Sequence, residues 1–489
     1  MKKVLAIFGL LALLAGSAAA AGFVSQSPAV DGRVFLVVPI DLNGDGRQDL
    51  LVPHATGEKP NAQPHLAVFL AQPAGYAASP DFDLTLPADA CLFDAADLDG
   101  DGLQELVLLR KWQVQSLTPR AGTRPEWTTL IKHGTGVLFP SFDGYVPYED
   151  FARDWNGDGQ PEVAFPDYGV MPFYGRGEKG EWAKVGQVAL HARGWLSVQN
   201  RETDNEIGDQ LQGGFNLPKR MLVVGKRGRE LYFTQGEEIW RHPLENGMFR
   251  EKGERLYFPF LTEQERRNDN MNVVSTVEDL NGDGYPDLIL QKLGGSLTNF
   301  KSALRIYAGN PAGFNTTPAY ATDRDGLIVM LRYWDVTGDG NKEMFMPLIE
   351  VGLMQMARML TTQMLKVKIQ VYLGGPGFYG KDPQTTREIT MKMNTDRGIT
   401  FVGYPPNYGE DFDADGLPDL FMQHGNGFAI WKNQGKLSFS NAPIISAAVE
   451  PWGESRLRDL NGDCRADFYA WDTADPAKRG RILVLFNKP

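Results

Sequence analysis

The residues with the clearest chemical potential are acids at fixed offsets. Seven segments share a nine-position pattern: an acid first, a polar or acidic residue third, an acid fifth, usually a Gly sixth and an acid ninth. The first offers the side chains of Asp41, Asn43, Asp45 and Asp49, with the backbone carbonyl of Arg47 at position 7. The second offers Asp97, Asp99, Asp101 and Glu105 with the carbonyl of Leu103, and the third Asp154, Asn156, Asp158 and Glu162 with that of Gln160. The fourth offers Asp279, Asn281, Asp283 and Asp287 with the carbonyl of Tyr285, and the fifth Asp335, Thr337, Asp339 and Glu343 with that of Asn341. The sixth offers Asp411, Asp413, Asp415 and Asp419 with the carbonyl of Leu417, and the seventh Asp459, Asn461, Asp463 and Asp467 with that of Arg465. Such a ring supplies the 6 to 8 oxygens that Ca²⁺ takes. With no His or Cys among the ligand positions, zinc and copper are disfavoured, and a dedicated all-protein cage favours calcium over magnesium. Up to seven structural calcium ions are therefore expected. Asp-Gly-rich turns alone would not carry 23 carboxylates at fixed offsets.

An EF-hand shares the first six positions, but it ends in a bidentate Glu at position 12 and lies between helices. Here position 12 is Val52, Leu108, Phe165, Leu290, Met346, Met422 or Ala470. Each loop runs into a short β-rich apolar segment, from DLLVP at Asp49 in the first copy to DFYAW at Asp467 in the last, so the loop joins two strands.

The pattern resembles the FG-GAP or VCBS repeat, the bacterial relative of the calcium-loop blades in integrin alpha-chain propellers. The likeness covers most of the mature chain and is specific in the loops. It implies an all-β propeller in which each repeat is one four-stranded blade with calcium in the loop after its first strand. Two departures bear on the metal: Thr337 takes position 3 of the fifth copy, and Cys464 replaces the Gly of the last.

Successive loops start 56, 57, 125, 56, 76 and 48 residues apart. The 125-residue interval spans two periods. Within it RMLVVGK, ELYFTQGEEIW and FREKGERLYF read as the second, third and fourth strands of a blade at about 195–259, with no metal loop where the pattern is lost near Asp204 to Asp209. Eight blades follow, or seven plus an insertion. In the 76-residue interval Leu353, Met356, Ala357, Leu360 and Met364 recur at helical spacing, predicting a helical insertion at about 349–365 that lies on the propeller's own surface or, as the alternative, offers its Met-rich face to a partner protein. The chain ends at VLFNKP, where a third-to-fourth-strand turn has just begun, and that turn resumes at Ala21 to Phe23. Phe23 to Val30 is thus expected to be the outer strand of the last blade, paired with Ile482 to Phe486, which leaves no open edge between first and last blades.

Lys2 and Lys3, an apolar run from Val4 to Leu14 and a small-residue string to Ala21 read as a secretory signal peptide over 1–21. The remaining 22–489 is expected to form one propeller in the periplasm or outside the cell. The leader holds two lysines and no acid, so its removal takes the net charge from −12 to −14, and seven divalent ions would offset it. With no basic patch, a nucleic-acid partner has nothing to bind. Two cysteines exclude a disulfide framework, and Cys91 and Cys464 are expected to be free.

Six histidines (His54, His65, His133, His191, His242, His424) are scattered without metal-ligand or triad spacing. There is no G-x-S-x-G, H-E-x-x-H or phosphate loop, and most candidate acid-base carboxylates are committed to metal. The reading is a non-enzymatic binding or assembly module for a protein or glycan. Tyr404, Tyr408, Tyr333, Trp334 and Trp452 are candidate aromatic contacts near the loops. The alternative is a polysaccharide lyase or other carbohydrate-active enzyme, since eight-bladed calcium-containing propellers also resemble certain lyases; no residue here matches theirs.

Overall fold

The structure is a computed structural model that describes residues 22–119, 126–134, 137–141, 143–177, 180–199, 210–268, 271–296, 299–350, 352, 361–394 and 400–488. The leader, Asp204 to Asp209, and Leu353, Met356, Ala357 and Leu360 of the expected helix lie outside the described residues. Among those described, no helix is long and apolar enough to cross a membrane.

Eight antiparallel sheets of four strands form a ring, as expected. Blade 5 shows the plan: inner strand Met271–Glu278, then Asp287–Ser296, Asn299–Tyr307 and outer strand Tyr320–Asp325, each paired with the next. Second strands are near-continuous apolar runs because both faces are covered by neighbouring blades. Asp49–Thr56, for example, is buried over its first seven residues. Outer strands are more exposed: Phe82–Thr85 exposes Asp83 and Thr85 and buries Leu84, and Glu254–Tyr257 has no buried residue. The outer edge of blade 1 thus carries polar groups of the kind that discourage edge-to-edge pairing.

The core is a series of inter-blade clusters. One gathers Leu50, Val52 and Phe69 of blade 1 with Tyr469, Trp471 and Val484 of blade 8; the next joins Leu51, Leu66 and Val68 to Phe93, Leu106 and Leu108 of blade 2. Six more repeat the arrangement around the ring. Closure follows the expected route. Phe23–Gln26 pairs antiparallel with Ile482–Asn487, Phe23 opposite Asn487 and Gln26 opposite Val484, as the fourth strand of blade 8.

Two expectations are corrected. In blade 4, Lys219–Gly225 is the inner strand rather than the second. Gly228–Gln235 and Glu238–Glu245 follow, with Glu254–Tyr257 outermost, so the blade begins near 219. The preceding length is a separate hairpin, Arg193–Gln199 with Gln210–Asn216. Both runs have strand composition, so periodicity could not tell a hairpin outside the ring from a strand within it. In blade 6, Met364 opens the third strand, Met364–Tyr372, and Ile349 closes the second, Glu343–Ile349, which narrows the expected insertion. The short helix Glu263–Asn268 was not expected. Its signal is the capping box of Thr262 and Glu265, where each residue's backbone N–H donates to the other's side chain.

Polar ties reinforce the ring. Asp94, buried on the inner strand of blade 2, accepts the N–H groups of Phe151 and Ala152 in blade 3, each at 2.7 Å. Burial pushes its carboxyl to about 7; the backbone N–H donors oppose this and Asp150 adds to it. Tyr148 and Arg220 are the other titratable groups that interact with it. The folded state therefore retains a proton that the unfolded chain, with an ordinary Asp, releases near pH 4. The resulting stability is present below pH 4 and lost as pH rises through about 7. Asp94→Asn should gain melting temperature relative to the unsubstituted protein as pH rises from 4 to 7 at constant calcium. A difference that does not change with pH would contradict this.

Candidate metal centres

Each acidic segment forms the connection between the first and second strands of its blade, at one end of the ring. Glycines make the tight winding possible. Gly46, Gly102, Gly159, Gly284, Gly340 and Gly416 at position 6 all have φ between 82° and 86°, a region an L side chain rarely enters. Inside the loop, side chains fold back onto the backbone. In the first copy Asp41 accepts the N–H of Gly44 and of Gly46, both at 2.8 Å. Asn43 accepts that of Asp45 at 3.0 Å, and Asp45 that of Arg47 at 2.9 Å.

The acid at position 9 is different. Asp49, Glu105, Glu162, Asp287, Glu343, Asp419 and Asp467 are all at most 5% exposed. In every copy one carboxylate oxygen accepts the N–H of the residue at position 2, at 2.8 to 3.0 Å. In five copies the other oxygen accepts a backbone N–H at the end of the third strand or just beyond it: Ala71, Gly309, Gly374, Asn433 or Asn487. The turns there close the clamp, since the hydroxyls of Tyr76 and Tyr379 donate to the carbonyls of Gln48 and Lys342 at position 8. Sequence reasoning read position 9 only as a ligand. Its second task was visible in the recurrent Gly-rich turns at Phe69 to Tyr76, Ile306 to Phe314 and Tyr372 to Tyr379.

These carboxyls are under electrostatic stress. Burial pushes Asp49 and Asp419 to about 6 and Glu162, Asp287 and Asp467 to about 7, with backbone N–H donors opposing and acids of the same loop adding repulsion. Burial raises Glu105 and Glu343 as well. The donor set fits a hard divalent cation. Asp97, Asp99 and Asp101 can each place one oxygen within 4.8 Å of the others', as can Asp411, Asp413 and Asp419. Asp279 Oδ1 and Asp413 Oδ1 are buried acceptors without a hydrogen-bond partner, of the kind an ion satisfies.

The loops are not equivalent. In the sixth, the Lys432 ammonium contacts Asp413 and lies 2.7 Å from Asp415 Oδ2, so a protein cation already sits among the ligand positions. In blade 4 the connection shrinks to the turn Lys226–Arg227, and basic groups replace the acids. Lys226 donates to the carbonyl of Asp283, and Arg229 lies 3.9 Å from Asp154, each reaching a neighbouring loop.

The cysteines are both free, Cys91 buried and Cys464 exposed. Of the aromatic residues singled out from sequence, Tyr404 and Tyr408 are core: Tyr404 meets Phe428 and Phe468 edge-on, and Tyr408 stacks on Phe345. Trp334 packs on Phe345, and Trp452 is half-buried beneath Lys478. Among the described residues the exposed aromatics are ones the sequence did not mark: Trp112, Phe139, Tyr168 and Tyr257, at 49%, 66%, 77% and 49%. The histidines, read as scattered, include a pair that the fold joins, His54 and His65 on adjacent strands.

Cys464 adopts φ 64° where the other copies have Gly. Left-handed backbone costs a non-glycine residue roughly 1 kcal/mol, so Cys464→Gly should raise the stability by about that amount in a denaturant titration. No gain, or a loss, would show that the seventh loop tolerates the strain.

Residues 411–470, from the sixth acidic loop into the second strand of blade 8, match the family described as FG-GAP-like repeat. No curated protein matches the chain. Among solved structures, one similar chain is a lectin of Agrocybe aegerita, from a study of its specific recognition of non-reducing terminal N-acetylglucosamine. It is 12% identical, with 89% of this chain and 92% of that chain covered and a TM-score of 0.37. Another is BBS1N in complex with ARL6DN, soaked with mercury: 11% identical, 85% and 98% covered, TM-score 0.33. The lead-soaked form of that complex is 11% identical, 84% and 95% covered, with a TM-score of 0.28. The chain is an eight-bladed β-propeller that carries an FG-GAP-like repeat in its last two blades.

Proposed function

We propose that this chain is an exported, calcium-stabilised propeller that acts as a non-enzymatic binding or assembly module for a protein or glycan. The observation that carries the reading is the placement of three exposed aromatics on neighbouring blades 2 and 3; a fourth, Tyr257, lies apart on the outer strand of blade 4. Trp112 lies in the turn between the second and third strands of blade 2, Tyr168 in the corresponding turn of blade 3, and Phe139 on the connection between those blades. In this topology all three positions lie at the end of the ring away from the acidic loops. Lys111 stands 5.1 Å from the centre of the Trp112 ring. Large aromatic surfaces left in water suit sugar faces and protein hot spots alike.

Support and recognition are then divided between two ends. At one, the acids at positions 1, 3, 5 and 9 and the carbonyl at position 7 would hold calcium, which supplies the positive charge that lets buried carboxylates stay ionised. At the other, the turns are free to vary and to bind. The leader-like N-terminus supports an exported setting, where calcium is abundant enough for sites of extracellular affinity.

The test is a glycan array and a protein-partner capture with the calcium-saturated chain, hits being confirmed by surface plasmon resonance. A saturable partner is expected. Trp112→Ser combined with Tyr168→Ser should weaken it at least tenfold while leaving the melting temperature unchanged. The absence of any saturable partner, or a partner indifferent to both substitutions, would contradict the proposal.

A further inference from the structure

Blade 1 carries a second set of metal-ligating groups whose chemistry differs from that of the loops. His54 lies on Asp49–Thr56, and His65 is its direct cross-strand partner on Gln63–Phe69. Asp83 lies on the outer strand opposite Ala67, and since alternate residues share a face, it stands on the same side as His65. Three adjacent strands thus present three ligand-type side chains on one face. At roughly 3.3 Å per residue, His54 is on the order of 17 Å along its strand from the acidic loop.

The atoms converge. His54 Nε2 is 3.0 Å from Asp83 Oδ1, His65 Nδ1 is 3.3 Å from the same oxygen, and the two rings stack with centroids 4.9 Å apart. One donor atom from each residue lies within 4.8 Å of the other two. Donors at about 2.0 to 2.2 Å around a tetrahedral ion stand about 3.3 Å from one another, so two of the three separations already suit a shared ion.

The far nitrogens fix what the near ones can do. His54 Nδ1 is 2.7 Å from the carbonyl of Asp31. A carbonyl can only accept, so Nδ1 carries a hydrogen. The ring is fully buried, which favours its neutral form and turns the Nε2 lone pair toward a carboxylate. Two acceptors cannot face each other at 3.0 Å without a positive charge between them. His65 Nε2 is 3.2 Å from Thr56 Oγ1, while its buried Nδ1 has no hydrogen-bond partner. A single proton on His54 would satisfy one ring and leave the other unpaired. A divalent ion satisfies both rings and the carboxylate together.

We propose that His54, His65 and Asp83 bind a divalent transition ion of the zinc class. Imidazole nitrogens favour such ions over calcium. The Asp31 carbonyl and the Thr56 hydroxyl would orient the two rings from behind, as outer partners of metal-bound histidines do. Asp83, whose side chain is 37% exposed, opens the remaining coordination position to water.

The experiment uses the full chain, stripped of transition metals and kept saturated with calcium. It is titrated with zinc chloride by calorimetry and with cobalt(II) by visible absorption. One zinc per chain is expected, with a cobalt spectrum of low coordination number. His65→Ala and Asp83→Asn should each weaken zinc at least 100-fold while leaving calcium binding unchanged, and Asp83→Asn, at the more exposed of the two positions, should leave the fold intact by circular dichroism. Thr56→Val should weaken it by about tenfold. No saturable zinc binding by the unsubstituted chain, or binding retained in both His65→Ala and Asp83→Asn, would overturn the proposal.

Discussion

The structure depends on a carboxylate placed where water cannot reach it. The ninth residue of each acidic loop is nearly inaccessible, yet it holds the start of its own loop in every copy and the end of the third strand in most. Hydrogen bonds to an ionised acceptor are among the stronger ones available. They are strongest when the acid is ionised, and burial together with the loop's other acids works against ionisation. A cation bound in the loop would resolve that conflict. The loops also lean on one another: Gln48 donates to the carbonyl of Leu460, Gln104 to that of Leu42 and Lys342 to that of Leu280. Backbone hydrogen bonds thus tie each of these loops to its neighbour.

Blade 4 shows how the same ring is completed without an acidic loop. Its two-residue turn carries Arg227, whose guanidinium donates to the carbonyls of Asn310 and Gly313 and pairs with Glu230 at 2.9 Å. Glu230 is buried and also meets Arg241 and the Tyr232 hydroxyl, so its charge is matched by two fixed cations. Arg229 and Lys226 extend toward the acidic loops of blades 3 and 5. Side-chain cations here do the neutralising work proposed for an ion in the other loops. Lys432 in the sixth loop is an intermediate case, an ammonium inserted among ligand positions that are otherwise intact.

Much of this was legible in the chain. Seven loops with apolar runs behind them, together with one interval of two periods, gave the blade count, and the turn split between the termini gave the closure strand, because both rest on a pattern repeated along the chain. Blade 4 was misread by one strand because RMLVVGK has the same composition whether it lies inside a blade or at its start, and the loop that would have fixed the register is absent. The meeting of His54 with His65 could not be read from spacing. They stand 11 positions apart in the chain, and only the strand pairing makes them neighbours. The exposed Trp112, Phe139 and Tyr168 were hidden for a related reason: they occupy turns and connections, where no periodicity distinguishes a buried ring from a solvated one.

The central claim is that divalent ions held by oxygen are part of the fold. The most direct measurement is thermal unfolding of the chain after exhaustive chelation, repeated with calcium and with magnesium added back. The account predicts a large fall in melting temperature on chelation, recovery with millimolar calcium and little recovery with the same magnesium. A melting temperature unchanged by chelation would contradict it.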